Sequence, residues 1–227
     1  MNEMGMRPLS FGPEEWYHCY NRGVDKRSVF EIKYDYRRFS ELLYLCNSEV
    51  PIHRSNFDKE NARYIFEIER DNQLVSIGAY CLMPNHFHLL LKNVNEDGIS
   101  RFMQKLGTAY TMYFNISRER VGNLFVKPFR ARHVADDRYL QRVVQYIHLN
   151  PTELFESGWK KGNVHDTSGI IKRLKTYMHS SLPDYEGMVR PESAILSLEM
   201  KEFLAENLPP LESLIEESVE YYASLTQ

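Results

Sequence analysis

Two histidines stand one residue apart in the stretch CLMPNHFHLLLKN, residues 81–93. Residues two apart in a strand point to the same face, so His86 and His88 would project side by side, while Phe87 and Leu89 point to the other face. Two adjacent imidazoles can bind one divalent cation. An isolated pair of this kind is more often just hydrogen-bonded, so a metal site requires further ligands from elsewhere in the chain.

A helix predicted around VVQYIHLNP supplies candidate partners for the histidines. Tyr146 and Asn150 are four residues apart and lie on one helical face, and Pro151 ends the helix directly after Asn150. If that face meets the histidines, a phenol and an amide oxygen reach the same place. The plainer alternative is a packing tyrosine followed by a common helix terminator. His148 is a rival third ligand, but it points to a different side of the helix.

Strands that could position these residues are indicated in three places. The first covers about residues 15–22, where aromatic and polar residues alternate before a glycine. The other two, QLVSIGAYCLM and HFHLLLKN, are joined by a Pro84-Asn85 turn, so we expect an antiparallel hairpin at the centre of the sheet. The later segment GNLFVKPFRARHV predicts a loop with at most one short edge strand.

Helical periodicity alternates with these strands. It is strong in YDYRRFSELLYLC, in residues 97–119, and in DDRYLQRVVQYIHL, which two aspartates open in the manner of an N-cap. Residues 52–72 fit either a strand or a short helix. The order of elements favours an α+β fold, an antiparallel sheet with helices packed mainly on one face, ferredoxin-like or RRM-like.

Composition restricts the class of protein. The chain of 227 residues, with 43% apolar and 26% charged residues, is long enough to bury a core without disulfides. Its three widely spaced cysteines suggest neither a disulfide framework nor a zinc knuckle. No signal-peptide pattern opens the chain, and no stretch approaches the roughly eighteen apolar residues of a membrane span. We therefore expect a cytoplasmic protein with no membrane partner.

Charge is unevenly distributed along the chain, although the net charge is only -3. Residues 92–142 contain ten Lys or Arg against five Asp or Glu, whereas residues 183–227 contain two against ten. A basic middle is typical of phosphate binding, and an acidic tail hides it in the total. On charge alone, solvated helix faces explain the pattern about as well.

Taken together, the segments resemble the HUH-type transposases with one catalytic tyrosine, the IS200-like insertion-sequence and REP-associated tyrosine transposases. The resemblance covers roughly residues 14–160, and its most specific part is PNHFHLLL followed some sixty residues later by YIHLNP. The matching segments, in the family's order, are YHCYNRGVDKRSVF, YCLMPNHFHLLLKN, GNLFVKPFRARHV and YLQRVVQYIHLNP.

The resemblance implies roles for four residues. His86 and His88 would be paired ligands of Mg²⁺ or Mn²⁺, Asn150 the ligand from the helix, and Tyr146 the nucleophile. Tyr146 would attack single-stranded DNA, keep the 5′ phosphate as a phosphotyrosine and free a 3′-OH, so that the strand can be transferred to another end. Because the phosphotyrosine link conserves the bond, joining the strand to another end needs no external energy source.

The resemblance also implies the partner and leaves the assembly open. Family members recognise hairpins formed by palindromic single strands, so we expect hairpin-forming single-stranded DNA as the partner here. Insertion-sequence members are dimers that exchange the tyrosine helix, whereas REP-associated members can act as monomers. The chain is therefore expected to be a monomer or a homodimer, and its long tail favours the monomer.

Basic and aromatic residues near these segments are candidates for DNA contacts. Phe125 and Phe129 could stack on unpaired bases, a contact worth about 1–3 kcal/mol per base, although core packing explains Phe125 at least as well. The expected phosphate contacts are Arg22, Arg101, Lys105, Arg118, Arg120, Lys127, Arg130 and Arg132.

Two domains are expected: an HUH tyrosine transposase domain over residues 1–165 and an acidic, helical C-terminal extension over residues 166–227, with one helix near 168–178. The extension either packs on the first domain or covers its basic groove as an autoinhibitory segment. Two other functions remain open: a catalytically silent DNA- or RNA-binding regulator of the same fold, and a metal-dependent hydrolase that activates water.

Overall fold

One four-stranded sheet forms the centre of the chain. The computed structural model describes residues 10–57, 60–161 and 164–224. All strand pairs are antiparallel, in the order β2-β3-β1-β4. The strands are β1 (Trp16–Arg22), β2 (Val75–Met83), β3 (His86–Asn93) and β4 (Arg130–Val134).

The helices separate the strands and then follow them. Up to β4 the order is β1-α1-β2-β3-α2-β4, the ferredoxin-like arrangement, which confirms the predicted α+β fold. Residues 60–67 form a 3-10 helix, the helical one of the two alternatives for that region. The α-helices are α1 (Lys33–Leu45), α2 (Gly98–Ser117), α3 (Asp137–Leu149), α4 (Thr152–Phe155), α5 (Thr167–Lys175), α6 (Leu182–Tyr185), α7 (Leu198–Asn207) and α8 (Leu211–Ser224).

Side chains alternate between the two faces of the sheet. Cys19 and Leu89 belong to the core beneath α1 and α2, the two helices that cover one face. Leu90 belongs to a second core, which it shares with Val144 of α3 and Met200 of α7. The helix α3 therefore lies on the face opposite α1 and α2, and this is the face to which His86 and His88 point.

The hairpin strand β2 is an edge strand, so the expectation that both hairpin strands lie at the centre of the sheet is wrong for β2. A segment of the C-terminal extension covers its outer edge. The Leu82 N–H donates to the His179 carbonyl, and the Ser181 N–H donates to the Tyr80 carbonyl, both at 2.9 Å. These bonds satisfy backbone groups that an edge strand otherwise presents to solvent.

The extension packs on the sheet and on α3. Leu149 at the end of α3 shares a core cluster with Leu174 of α5 and Ile215 of α8. Glu199 of α7 pairs with Lys92 of β3 at 2.6 Å. Of the two arrangements considered for the extension, the structure has the packed one, while the domain boundary at residue 165 stays a prediction. Within the described part of the chain, no helix is long and apolar enough to cross a membrane.

Candidate active site

The two histidines of β3 project from the face of the sheet that α3 covers. Their ring centroids are 5.1 Å apart, and His88 is buried while His86 is half-buried. Phe87 lies between the two histidines and Leu89 follows them. Both are buried on the opposite face, in the core beneath α1 and α2. The apolar residues of β3 thus fix the strand, and the strand fixes the spacing of the imidazoles.

The helix α3 brings the tyrosine and the asparagine to the histidines. Its N-terminus is capped by Asp136, whose carboxylate accepts a hydrogen bond from the Tyr139 N–H at 2.7 Å. The Tyr146 ring lies edge-on to His88, with centroids 5.3 Å apart, and the phenol is 39% exposed. The four predicted site residues therefore lie together; the chemical role of each stays a prediction.

Two hydrogen-bond acceptors face each other at His86. Its Nδ1 lies 2.6 Å from Asn85 Oδ1, an atom that can only accept, so Nδ1 carries the proton. In the neutral ring, Nε2 then holds a lone pair, and it lies 3.4 Å from Asn150 Oδ1, which is also an acceptor. Ligand atoms at right angles around one cation are about 3 Å apart, since each bond is about 2.1 Å. The spacing fits a shared cation.

The nitrogen of the Asn150 amide also lacks a partner. Asn150 is 5% exposed, and its Nδ2 is buried with no hydrogen-bond partner among the described residues. Unsatisfied buried donors are uncommon, and an N–H group needs an acceptor such as a water, so a cation would bind Oδ1 and not this nitrogen. No three His, Cys, Asp or Glu side chains converge on a metal position within the described ranges, so the available donors are two imidazoles and one amide oxygen.

His18 on β1 is a site residue that the sequence did not indicate. Its Nε2 lies 2.9 Å from His88 Nδ1, and its ring centroid is 5.7 Å from that of Tyr146. Burial, with a smaller contribution from Arg132, lowers the pKa of His18 to about 4, so the ring is neutral at neutral pH. The sequence signal for His18 is its alternation with Tyr20 in YHCYNR. This alternation puts both side chains on one face of β1, which is the face of the histidine pair.

A second tyrosine lies near the histidines. The ring centroid of Tyr20 is 5.6 Å from that of His88 and 5.1 Å from that of His18. Tyr20 is therefore the rival of Tyr146 as a nucleophile, and an experiment on the site has to distinguish them.

Three of the predicted basic residues lie on the histidine face. Arg22 pairs with His86 across β1 and β3, and Arg132 pairs with His18 across β1 and β4. Arg130 is opposite Tyr20. Directly opposed residues of an antiparallel pair share a face, so these guanidinium groups surround the site. Lys127 is exposed in the loop before β4.

The other four predicted basic residues are not brought to this face, and each has a partner elsewhere. Arg118 bonds the buried carboxylate of Asp35 at 2.6 Å. Arg101 pairs with Glu49 at 3.7 Å, Lys105 donates to the Ser48 carbonyl at 2.5 Å, and Arg120 donates to Asn115 at 2.5 Å. Their contribution to DNA binding stays a prediction.

Three further candidates are packed elsewhere. The rival ligand His148 is 1% exposed, and its Nε2 lies 2.8 Å from the Ser181 hydroxyl of the extension. Phe125 is buried against Phe87, with ring centroids 5.4 Å apart. Of the two alternatives for Phe125, base stacking and core packing, the structure has core packing. Phe129 is half-buried and stacks on Phe11.

The overall fold is shared with a transposase of known structure. A solved structure of a REP-associated tyrosine transposase bound to a REP hairpin matches with a TM-score of 0.50 and 14% identity, over 93% of this chain and 90% of that one. The model of the family described as "Transposase IS200 like" matches residues 36–150. The chain therefore belongs to the IS200-like transposase family. No curated protein matches it.

Proposed function

We propose that this protein cleaves single-stranded, hairpin-forming DNA and transfers the cut strand through a 5′-phosphotyrosine on Tyr146, with Mg²⁺ or Mn²⁺ as cofactor. The observation that carries the proposal is the meeting of α3 with the histidine pair, which puts a 39% exposed phenol edge-on to His88. Membership of a transposase family and a fold shared with a hairpin-bound protein support the same substrate class.

His86, His88 and Asn150 would hold the cation. Their donors, two imidazoles and an amide, also suit other divalent ions, so the metal that binds most tightly need not be the working one. When bound, the cation supplies positive charge that polarises a non-bridging phosphate oxygen. The sheet and α3 keep these donors in place before DNA arrives, because β3 is buried between two cores.

Tyr146 carries the covalent step. Its hydroxyl oxygen forms a bond to phosphorus, the bond from phosphorus to the 3′ oxygen breaks, and that oxygen leaves as a 3′-OH after it takes up a proton. The phenol proton passes to solvent, which reaches the exposed side of the ring. Attack of another 3′-OH on the phosphotyrosine reverses these bonds and joins the strand to a new end.

Cations around the site would hold the strand. Arg22, Arg130 and Arg132 lie on the histidine face, and Lys127 is exposed in the loop before β4. Phosphate contacts of this kind position DNA and read no sequence. They fit a strand that crosses the sheet face beneath Tyr146.

The nucleophile is tested with wild type, Tyr146→Phe and Tyr20→Phe on a labelled hairpin strand with Mn²⁺. Adducts that survive detergent are measured on a denaturing gel. We expect them for wild type and for Tyr20→Phe, and none for Tyr146→Phe. Hairpin binding in EDTA serves as the control that all three proteins fold.

The other outcomes identify the other functions. An adduct that persists in Tyr146→Phe contradicts the proposal. Cleavage without any adduct, unchanged in Tyr146→Phe, indicates the metal-dependent hydrolase. Hairpin binding with neither cleavage nor adduct in wild type indicates the silent regulator.

A further inference from the structure

We propose that His18 is a positioning residue that holds His88 in the tautomer able to bind the cation. His18 Nε2 accepts a hydrogen bond from His88 Nδ1–H, which leaves the lone pair of His88 on Nε2. The inference rests on the proposed function only in assigning His88 to a metal; the hydrogen bond itself is independent of it.

The geometry is that of a short contact between two buried rings. His18 is 8% exposed and His88 is 5% exposed, and their facing nitrogens are 2.9 Å apart. Both strands are fixed by pairing, with Tyr20 opposite His88 and Leu90 opposite His18. The imidazoles thus meet diagonally across β1 and β3, and neither needs to leave the sheet face to reach the other.

Only one of the two nitrogens in this contact can carry the proton when both rings are neutral. If His18 Nε2 carried it, His88 Nδ1 would be the acceptor, and the proton of His88 would be on Nε2. That tautomer cannot bind a metal through Nε2. With the proton on His88 Nδ1, His18 becomes the acceptor and the His88 Nε2 lone pair is available for a cation, as in other metal sites whose histidines are oriented by a second group.

The neighbouring histidine, His86, also has a partner at Nδ1, and there the direction of the hydrogen bond is fixed. His86 Nδ1 is bonded to Asn85 Oδ1, and the Asn85 amide cannot be turned over without loss, because its Nδ2 donates to the Lys26 carbonyl at 3.3 Å. His86 therefore has its proton on Nδ1. An acceptor at His88 Nδ1 gives the two ligands the same tautomer, and His18 is the group that lies there.

His18 also packs against the proposed nucleophile. Its ring is edge-on to Tyr146 at a centroid distance of 5.7 Å and an interplanar angle of 69°. A purely structural role would rest on this packing. Substitutions of His18 can separate the two roles, since leucine keeps apolar bulk without an acceptor, whereas glutamine keeps an acceptor near the position of Nε2.

The first test measures Mn²⁺ affinity of the DNA-free protein by electron paramagnetic resonance for wild type, His18→Leu and His18→Gln. We expect His18→Leu to bind Mn²⁺ about 10–100-fold more weakly, the usual effect of losing an orienting partner, and His18→Gln to recover most of that loss. Wild-type affinity in His18→Leu, or equal weakening in both variants, would overturn the proposal. Hairpin binding in EDTA should be the same for all three.

The second test needs no variant and decides the matter if His18→Leu does not fold. Nitrogen-15 spectra of the metal-free wild-type protein report which ring nitrogen of His88 is protonated. We expect the proton on Nδ1; a proton on Nε2 refutes the role of His18. If wild type binds no Mn²⁺ and forms no adduct, the proposed function fails, while this spectrum still decides whether His18 accepts from His88.

Discussion

Asn150 is the residue where stability and the proposed function conflict. Its Nδ2 is buried with no partner among the described residues, and its Oδ1 faces another acceptor, His86 Nε2. A buried donor without a hydrogen bond costs about 1–3 kcal/mol. Side chains that break local rules of stability without evident compensation are expected at functional sites. The metal-free protein would therefore be more stable without this amide.

We expect Asn150→Leu to raise the free energy of unfolding of the metal-free protein by about 1 kcal/mol and to abolish the tyrosine adduct. Urea unfolding in EDTA and the denaturing gel measure the two effects. The matched control is Thr152→Val, because the Thr152 hydroxyl is buried and also unsatisfied among the described residues, two positions further along the chain. It should stabilise the protein in the same way and leave the adduct intact. An active Asn150→Leu protein would remove Asn150 from the site.

The residues that meet at the site differ in how readily the sequence shows them. His86 with His88, and Tyr146 with Asn150, follow local periods of two and four, and such periods can be read from the chain itself. His18 lies on another strand. Its contact with His88 depends on the register between β1 and β3, which is a property of the folded sheet. The sequence indicated the proposed ligands but not His18, the residue proposed to orient one of them.

The strands and helices divide the basic residues in the middle of the chain into two groups. Strands β1 and β4 carry Arg22, Arg130 and Arg132 to the histidine face. The helix α2 and the turn after it carry a second group on the other side of the sheet, where Arg118 bonds Asp35. A count of charges along the chain cannot separate these groups, because the face to which each points is set by packing.

Neutralising one member of each group should have different effects. We expect Arg132→Gln to weaken hairpin binding for all sequences and to lower the slope of affinity against salt by about 1, with little change in stability. Arg118→Gln should instead lower the free energy of unfolding by about 3 kcal/mol, since it leaves the 0% exposed carboxylate of Asp35 without its charge partner. Fluorescence titrations and urea unfolding measure these effects. The reverse pattern would mean that the DNA path follows α2.

The acidic extension is part of the folded unit. It covers the edge of β2, and Ser181 contacts both β2 and His148 at the end of the tyrosine helix. Arg190, 8% exposed, bonds Asp184 and the Ser180 carbonyl, and so fixes the covering segment.

The sequence predicted a helical extension but not its contact with the edge of β2, because the covering of an edge is visible only when the strand order is known. Exchange of α3 between subunits would require these contacts to break or to be made by another chain; the oligomeric state stays a prediction.

A chain that ends after residue 180 should lose stability and gain no DNA affinity. It would lack Ser181, Arg190 and the apolar residues of α7 and α8 that pack on the rest of the chain. We expect a fall in melting temperature of several degrees or more, or aggregation through the uncovered β2 edge. Calorimetry and hairpin titration test this. A stable shortened chain that binds the hairpin more tightly would instead favour the autoinhibitory alternative.

Acid should loosen the same segment through His179. This ring stacks on Tyr36 at 3.8 Å, and burial, helped by Arg190 and Lys33, lowers its pKa from 6.5 to about 4. Between those values the unfolded chain binds the extra proton and the folded one does not, so stability is complete above about pH 6.5 and falls as pH drops toward 4. The loss from this group between about pH 7 and pH 5 is roughly 1–2 kcal/mol.

Urea unfolding across this pH range measures that loss. His179→Phe keeps the aromatic stack and removes the proton site, so its stability should fall less steeply with acid than that of wild type. The exposed His165 provides the matched control, since His165→Phe should keep the wild-type slope. Identical slopes for wild type and His179→Phe would rule out His179 as the source.

In the proposed mechanism, Tyr146 becomes covalently attached to the 5′ phosphate of cut DNA. The most direct measurement is tandem mass spectrometry of the wild-type protein after reaction with a hairpin strand and Mn²⁺, followed by nuclease and trypsin digestion. Trypsin releases residues 143–160 as one peptide, VVQYIHLNPTELFESGWK, in which Tyr146 is the only tyrosine. We expect a nucleotide phosphate on that tyrosine. A nucleotide on the peptide that contains Tyr20, or cleaved DNA with every tyrosine unmodified, would contradict this mechanism.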